Sequence, residues 1–124
     1  MDVQCINVIT LAYMGDAIYE VYIREKCISL GIAKVEDLQK KVTSYVSALG
    51  QSKVLERLVE KNFLSDSELL IVKRGRNYKR SVHPKNTSLA IYKEATGLET
   101  LIGYLYLSKN FERLNEIFEM IGVE

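Results

Sequence analysis

The sequence predicts an all-α protein, a single domain of about six helices spanning residues 1–124. Apolar residues recur at spacings of three and four along most of the chain, as they do on one face of an α-helix. Residues that interrupt helices are scarce, since the 124 residues include seven glycines and one proline. This length suits one domain with one hydrophobic core. The sequence shows no convincing strand pattern, repeat or linker.

The first predicted helix runs from about Asn7 to Leu30, and Gly31 suits its C-terminal end. Gly15 lies in the middle of this helix, where glycine costs roughly 1 kcal/mol relative to alanine. A glycine at such a position usually marks the close approach of another backbone or of a ligand.

Three shorter helices follow. The second is predicted over Val35–Val42 and the third over Val46–Lys61. One side of the third helix is apolar and is expected to face the core; it consists of Ala48, Leu49, Val54, Leu55, Leu58 and Val59. Ser65 then begins the motif SDSELL, in which Glu68 follows three residues later, and this spacing is that of a capping box. The fourth helix extends from there to about Lys73.

The last two helices follow a polar segment. This segment, RGRNYKRSVHPKN, contains a glycine and the single proline and predicts a loop or a broken helix. Asn86 or Thr87 is expected to cap a long fifth helix that reaches roughly to Ser108. A sixth, amphipathic helix carries the apolar residues Phe111, Leu114, Ile117, Phe118 and Ile121.

Residues 73–85, here called the basic strip, are strongly cationic. They read KRGRNYKRSVHPK and contain six basic and no acidic residues, although the whole chain has 17 basic and 16 acidic residues and a net charge of +1. The remainder of the chain is therefore net acidic. One cationic strip on an acidic body favours a surface that binds a polyanion. An ordinary solvated surface is equally compatible with this charge run.

The two cysteines, Cys5 and Cys27, have apolar neighbours and lack the CxxC spacing of a zinc site. We expect buried thiols in a reducing compartment. A single histidine, His83, excludes a histidine-rich metal site. The sequence shows no evident signal peptide and no apolar run long enough to cross a bilayer, so we expect a cytoplasmic protein with no membrane partner.

Two acidic residues with apolar neighbours are the candidate catalytic residues. Asp16 lies in LAYMGDAIYE and Glu99 in ATGLETLIGYLYL, each in a predicted helix and each near a glycine. A carboxylate on an apolar face is costly unless it is paired or bound to a metal. Two such acids suit Mg²⁺ or Mn²⁺, although the residues alone favour ion pairs at helix surfaces. Glu20 lies one turn after Asp16, and a solvated helix face or an ion pair with Arg24 is expected rather than a role in metal binding.

These motifs make the sequence similar to the ribonuclease III family. LAYMGDAIYE resembles the signature helix of that family, and EATGLETLIGYLYL resembles its second acidic motif, with Glu99 four residues before Gly103. The motifs YVSALGQ, RGRN and PKN make the chain most similar to the short Mini-ribonuclease III form, which lacks a double-stranded-RNA-binding domain. The resemblance covers residues from about Gln4 to Gly122.

The resemblance implies a metal-dependent endoribonuclease that cuts double-stranded RNA and leaves 5′-phosphate and 3′-hydroxyl ends. Asp16 and Glu99 match the two catalytic carboxylates and would bind Mg²⁺, for which Mn²⁺ substitutes. The family also implies a homodimer whose subunits form a valley for the duplex. The Mini form is associated with maturation of the large-subunit ribosomal RNA precursor, a role that leaves room for an auxiliary ribosomal protein.

Two positions depart from the longer family pattern. Ala12 stands where that pattern has a glutamate, and Thr96 stands where it has an aspartate. These departures leave open whether one or two metal ions bind at each site.

The basic strip is expected to bind the RNA. Recognition would be mainly of duplex shape, through phosphates and 2′-hydroxyls. The expected RNA-binding residues are Arg74, Arg76, Asn77, Lys79, Arg80, Lys85 and Asn86. For the two asparagines, helix capping is the slightly favoured alternative.

Two other functions are compatible with the residues. A non-catalytic RNA-binding module of the same fold would bind RNA without cutting it, but the intact Asp16 and Glu99 argue against this alternative. A helical interaction protein without a nucleic-acid partner would leave the basic strip unexplained.

Overall fold

The computed structural model confirms the all-α fold. It describes residues 1–79 and 87–124, in which one 3-10 turn at Val3–Cys5 is followed by six α-helices and there is no strand. The helices are α1 (Val8–Ser29), α2 (Val35–Val46), α3 (Ala48–Glu60), α4 (Asp66–Arg76), α5 (Leu89–Leu107) and α6 (Phe111–Ile121). No helix in these two ranges is long and apolar enough to span a membrane.

Side-chain caps set the starts of most helices. The N-cap residues whose side chains accept a hydrogen bond from the first turn are Asn7, Ser47, Ser65, Ser88 and Asn110. The predicted capping box is confirmed, because the Glu68 N–H donates to Ser65 Oγ (3.2 Å) and the Ser65 N–H donates to Glu68 Oε1 (2.9 Å). The cap of α5 is Ser88, so the expectation of Asn86 or Thr87 was wrong by one or two residues.

Two helices are longer than the sequence predicted. Helix α2 continues to Val46, because Ser47 both ends α2 and caps α3. Helix α4 continues past Lys73 to Arg76, so the beginning of the basic strip is helical and not a loop. Basic side chains in this last turn interact favourably with the negative end of the helix dipole. The predicted end of α1 is confirmed, since Gly31 has a positive φ of 81°.

Helix α5 lies at the centre of the molecule. Helices α1, α3, α4 and α6 all pack against it. Its side chains at Leu98, Leu101, Ile102 and Leu105 are buried in the main core. A helix that is apolar on most sides is suited to this central position. Glu99 is therefore carried by the helix that touches most of the others.

Some residues that we expected in the core are at the surface. Cys5 is exposed and its thiol donates to the Asp2 carboxylate at 3.3 Å, so the prediction of two buried thiols is confirmed only for Cys27. Cys5 precedes α1 and lies outside the helical core. Leu49 and Val59 are exposed because the buried face of α3 is narrower than expected. That face consists of Gly50, Gln51, Val54, Leu55 and Leu58.

Candidate active site

Helices α1 and α5 cross in direct backbone contact at two glycines. A methyl group added to Gly15 would lie 1.7 Å from the carbonyl oxygen of Glu99, and one added to Gly103 would lie 1.9 Å from the carbonyl oxygen of Leu11. Neither distance leaves room for a carbon atom, so only glycine fits this crossing. The prediction that Gly15 marks the close approach of another backbone is confirmed.

The crossing brings the two candidate catalytic residues together. Asp16 directly follows Gly15 on α1, and Glu99 lies one helical turn before Gly103 on α5. Because the Glu99 carbonyl touches Gly15, the backbones of Asp16 and Glu99 are neighbours.

The two acids differ in their exposure to solvent. Glu99 is half-buried, whereas Asp16 is exposed. The apolar neighbours of Asp16 suggested a carboxylate on an apolar face, and this was wrong. The buried stripe of α1 passes instead through Leu11, Gly15 and Tyr19. Asp16 is thus open to a ligand that approaches from solvent.

The Glu99 carboxylate contacts a buried glutamine that the sequence analysis missed. Gln51 on α3 is only 1% exposed. Its side-chain N–H group donates to Glu99 Oε2 and to the main-chain oxygen of Val46, each at 3.3 Å. The signal that could have revealed it is a polar residue on the otherwise apolar face of α3.

Tyr19 lies near the same carboxylate. Its side chain is fully buried, and its O–H donates to the main-chain oxygen of Tyr45 at 2.9 Å. Burial raises the pKa of the Tyr19 phenol well above its ordinary value, and the charges of Tyr45 and Glu99 raise it further. Tyr19 is therefore a neutral hydrogen-bond donor that fixes α1 to the end of α2.

The two positions that depart from the longer family pattern are both buried. Ala12 is part of the apolar core, and the Thr96 O–H donates to the main-chain oxygen of Tyr92 at 3.0 Å. Within residues 1–79 and 87–124, no group of three or more His, Cys, Asp or Glu side chains could hold a metal ion. The candidate carboxylates at the crossing are Asp16, which follows Gly15, and Glu99, whose carbonyl contacts Gly15.

This donor set fits a hard divalent cation. Mg²⁺ commonly takes one or two carboxylates and completes its coordination with waters and substrate phosphates. A solvent-open aspartate beside a hydrogen-bonded glutamate meets that requirement. Glu20 is not needed, since it pairs with Arg24 at 2.8 Å as predicted.

The described part of the basic strip lies on the last turn of α4 and just beyond it. Lys73, Arg74 and Lys79 are exposed. Arg76 is partly buried and forms an ion pair with Glu94 of α5 at 3.5 Å. These positions leave at least three cations facing solvent.

The asparagine positions are only partly described. Asn77 is the C-cap residue of α4, as the capping alternative predicted. Arg80, His83, Lys85 and Asn86 lie outside the described residues. Their roles stay predictions from the sequence.

A second glycine contact attaches the basic strip to α5. A methyl group added to Gly75 would lie 2.3 Å from Thr100 Oγ1, and one added to Gly97 would lie 2.9 Å from the main-chain oxygen of Val72. Helix α4 therefore packs closely on the helix that carries Glu99. Since α1 packs on α5 in the same way, α5 fixes the helical beginning of the basic strip (residues 73–76) and both acids relative to one another.

Known proteins are similar to this chain in sequence and in fold. Residues 9–110 match the ribonuclease III domain. The chain is 42% identical to the Mini-ribonuclease 3 of Enterococcus faecalis over 116 residues, which cover 94% of this chain and 88% of that protein. It is 39% identical to the Mini-ribonuclease 3 of Streptococcus pneumoniae over 117 residues, covering 94% of this chain and 91% of that protein.

A solved structure has the same architecture. The crystal structure of a protein from Fusobacterium nucleatum superposes with a TM-score of 0.83 at 33% sequence identity. The match covers 97% of this chain and 94% of that one. The similarity therefore extends over nearly the whole chain.

Proposed function

We propose that this chain, which belongs to the ribonuclease III family and is an endoribonuclease, cuts double-stranded RNA by metal-assisted hydrolysis with Asp16 and Glu99 as its catalytic residues. The observation that carries this proposal is the contact of α1 with α5. This contact makes neighbours of two acids that are far apart in the sequence. Helix α5, which carries one of them, also packs against α4, where the basic strip begins.

Asp16 and Glu99 would hold Mg²⁺, for which Mn²⁺ substitutes. When bound, such a cation activates water as a nucleophile and stabilises charge on a phosphate. The protein contributes the placement of the two carboxylates. Gln51 donates a hydrogen bond to Glu99, and the exposed Asp16 leaves space for the RNA backbone. Lys73 and Arg74 would neutralise neighbouring phosphates along the duplex.

We propose the large-subunit ribosomal RNA precursor as the substrate, processed in the cytoplasm. The resemblance of the sequence to the Mini-ribonuclease III form, which is associated with this precursor, supports the choice of substrate. We propose that a ribosomal protein bound to the precursor RNA is an auxiliary partner in its cleavage. Cleavage of the naked precursor should then be compared with cleavage of the precursor bound to ribosomal proteins.

We also propose a homodimer formed through the outer face of α1. Tyr13 is 83% exposed, and Ala17, Val21 and Ile28 are exposed on the same side of the helix. We call these four residues the α1 stripe. Exposed apolar side chains grouped on one side of a helix are typical of an interaction surface. Asp16 borders the stripe, so a dimer would place each site beside the subunit boundary.

The test of catalysis is cleavage of long duplex RNA by Asp16→Asn and Glu99→Gln in the presence of Mg²⁺. Each variant should lose activity by at least about 100-fold, the scale of removing one group that stabilises transition-state charge. Duplex binding and the circular dichroism spectrum should be retained. The matched control is Glu20→Gln, a change of the same kind one turn along α1, which should stay active.

Two outcomes would contradict this assignment. Full activity in either acid variant would remove that residue from the catalytic centre. Binding without cleavage by the unaltered protein, even with Mn²⁺ present, would favour the non-catalytic RNA-binding module.

A further inference from the structure

Gln51 occupies a position that core packing alone does not explain. Its side chain is buried, yet its oxygen Oε1 accepts no hydrogen bond within the described part of the chain. A buried acceptor without a partner is destabilising, and an apolar side chain of similar size would avoid that cost. The presence of glutamine at position 51 must therefore be explained by the hydrogen bonds that its side-chain N–H group donates.

The amide nitrogen of Gln51 joins two parts of the molecule. It donates to the main-chain oxygen of Val46 at the end of α2 and to the carboxylate of Glu99 on α5. With the amide turned over, Oε1 would face the carboxylate, and two acceptors would oppose each other. The acceptor oxygens of Glu99 and Val46 therefore select the orientation that leaves Oε1 without a partner.

The backbone that carries Gln51 is held firmly. Ser47 caps α3 by accepting from the Gly50 N–H at 3.1 Å. A methyl group added to Gly50 would lie 2.3 Å from the main-chain oxygen of Ser44, so α2 and α3 meet in direct backbone contact. Gln51 therefore projects from a junction with little freedom to move.

We propose that Gln51 is a positioning residue that holds the Glu99 carboxylate in the orientation required for binding a divalent cation. This inference rests on the proposed function of Glu99. Carboxylates that bind metals are commonly oriented by hydrogen bonds from residues behind them. In this chain the acids of the longer family pattern are replaced by Ala12 and Thr96, which are both buried. Only two carboxylates would then bind the metal ion, so the orientation of each one matters more.

The test measures metal binding directly, without RNA. Mn²⁺ is titrated into the protein and its binding is followed by electron paramagnetic resonance. Gln51→Leu removes the donor while keeping the size of the side chain, and Gln51→Met serves as a second variant that retains an unbranched chain. Each should bind Mn²⁺ about 10- to 100-fold more weakly, the usual effect of removing such a partner. The Mg²⁺ concentration required for half-maximal cleavage should rise in parallel.

The matched control is Leu58→Ala, which truncates a buried side chain about two turns from Gln51 on the same helix. It should lower the melting temperature but leave the Mn²⁺ affinity as in the unaltered protein. The positioning role would be overturned if both Gln51 variants bound Mn²⁺ as tightly as the unaltered protein. It would also be overturned if the control lost as much Mn²⁺ affinity as the two Gln51 variants. Failure of the unaltered protein to bind Mn²⁺ would instead overturn the metal assignment of Asp16 and Glu99 itself.

Discussion

Glu68 shows that a single residue can have a local role and a tertiary role at once. Its carboxylate completes the capping box of α4 and also accepts from Arg113 Nε and Nη2, both at 2.8 Å. Arg113 further donates to the main-chain oxygen of Phe63. The pair is largely buried and connects α4 with α6. Sequence spacing revealed the cap, whereas the ion pair depends on a residue far along the chain.

The Glu68–Arg113 pair predicts how stability depends on pH. Burial would raise the pKa of Glu68, but hydrogen bonds from Arg113 and from Ser65 outweigh it and hold that pKa below its ordinary value. A lowered pKa means that the folded state favours the ionised form. The stabilisation is therefore fully present above the ordinary pKa and is lost as the pH falls through the lowered one.

Glu68→Gln should lower the free energy of unfolding by about 2–3 kcal/mol at pH 7, because it leaves the Arg113 charge poorly paired. Urea denaturation at neutral and at acidic pH measures the effect, which should shrink at acidic pH. The matched control is Glu116→Gln, since Glu116 contacts the same arginine at 2.9 Å but is half-exposed. It should cost less than about 1 kcal/mol. An equal loss for Glu68→Gln at both pH values would contradict the linkage.

Among the helices, the crossing of α1 with α5 is the most tightly constrained contact. Gly15→Ala forces the two backbones apart, and we expect a loss of about 3 kcal/mol in the free energy of unfolding. That loss outweighs the roughly 1 kcal/mol that alanine gains in helix propensity. Cleavage should fall as well, because the change displaces Asp16 from Glu99.

Thermal unfolding and a cleavage assay test this prediction. Glu25→Ala, an exposed change on the same helix, should alter stability by no more than about 0.5 kcal/mol. If Gly15→Ala unfolds and cleaves like the unaltered protein, then α1 and α5 are not in backbone contact.

Helix periodicity was sufficient to predict all six helices, because each has a face that packs on α5 or near it. It failed where tertiary contacts override local composition. Lys73 to Arg76 is polar and contains Gly75, which locally favours a loop. The packing of Gly75 against Thr100 keeps this turn helical.

The candidate site, like the helices, was predicted only in part from the sequence. The glycine-flanked motifs identified Asp16 and Glu99, and the mid-helix Gly15 indicated a close backbone approach. Gln51 was missed because its partner, Glu99, lies on another helix, and no spacing along α3 encodes that contact. The periodicity of the sequence predicts the helices, whereas the partner of a side chain on one helix depends on how the helices pack together.

For the molecule as a whole, the charge distribution predicts how RNA binding responds to salt. Arg74→Ala on the exposed side of α4 should weaken duplex binding and lower the slope of log affinity against log salt by about one. Filter binding at several salt concentrations measures that slope. The control Lys40→Ala removes an exposed cation from α2 and should leave the slope unchanged. An unchanged slope for Arg74→Ala would show that this part of the basic strip does not contact phosphate.

The α1 stripe predicts the oligomeric state. Val21→Asp places a charge within the stripe and should convert the dimer into monomers, as measured by sedimentation equilibrium. Val35→Asp is the matched control, because it makes the same change at another exposed valine, at the start of α2 (74% exposed, against 59% for Val21). It should leave the dimer intact. If Val21→Asp is as dimeric as the unaltered protein, subunits associate through another surface.

The glycine crossing also has a consequence during protein synthesis. Gly15 and Gly103 lie far apart in the sequence, so the contact between them forms only after α5 has been synthesised. Until then, Asp16 has emerged without Glu99 beside it. On the proposed function, a chain synthesised only as far as α4 therefore lacks a complete catalytic pair, and the nuclease becomes competent only once α5 has been made and has packed on α1.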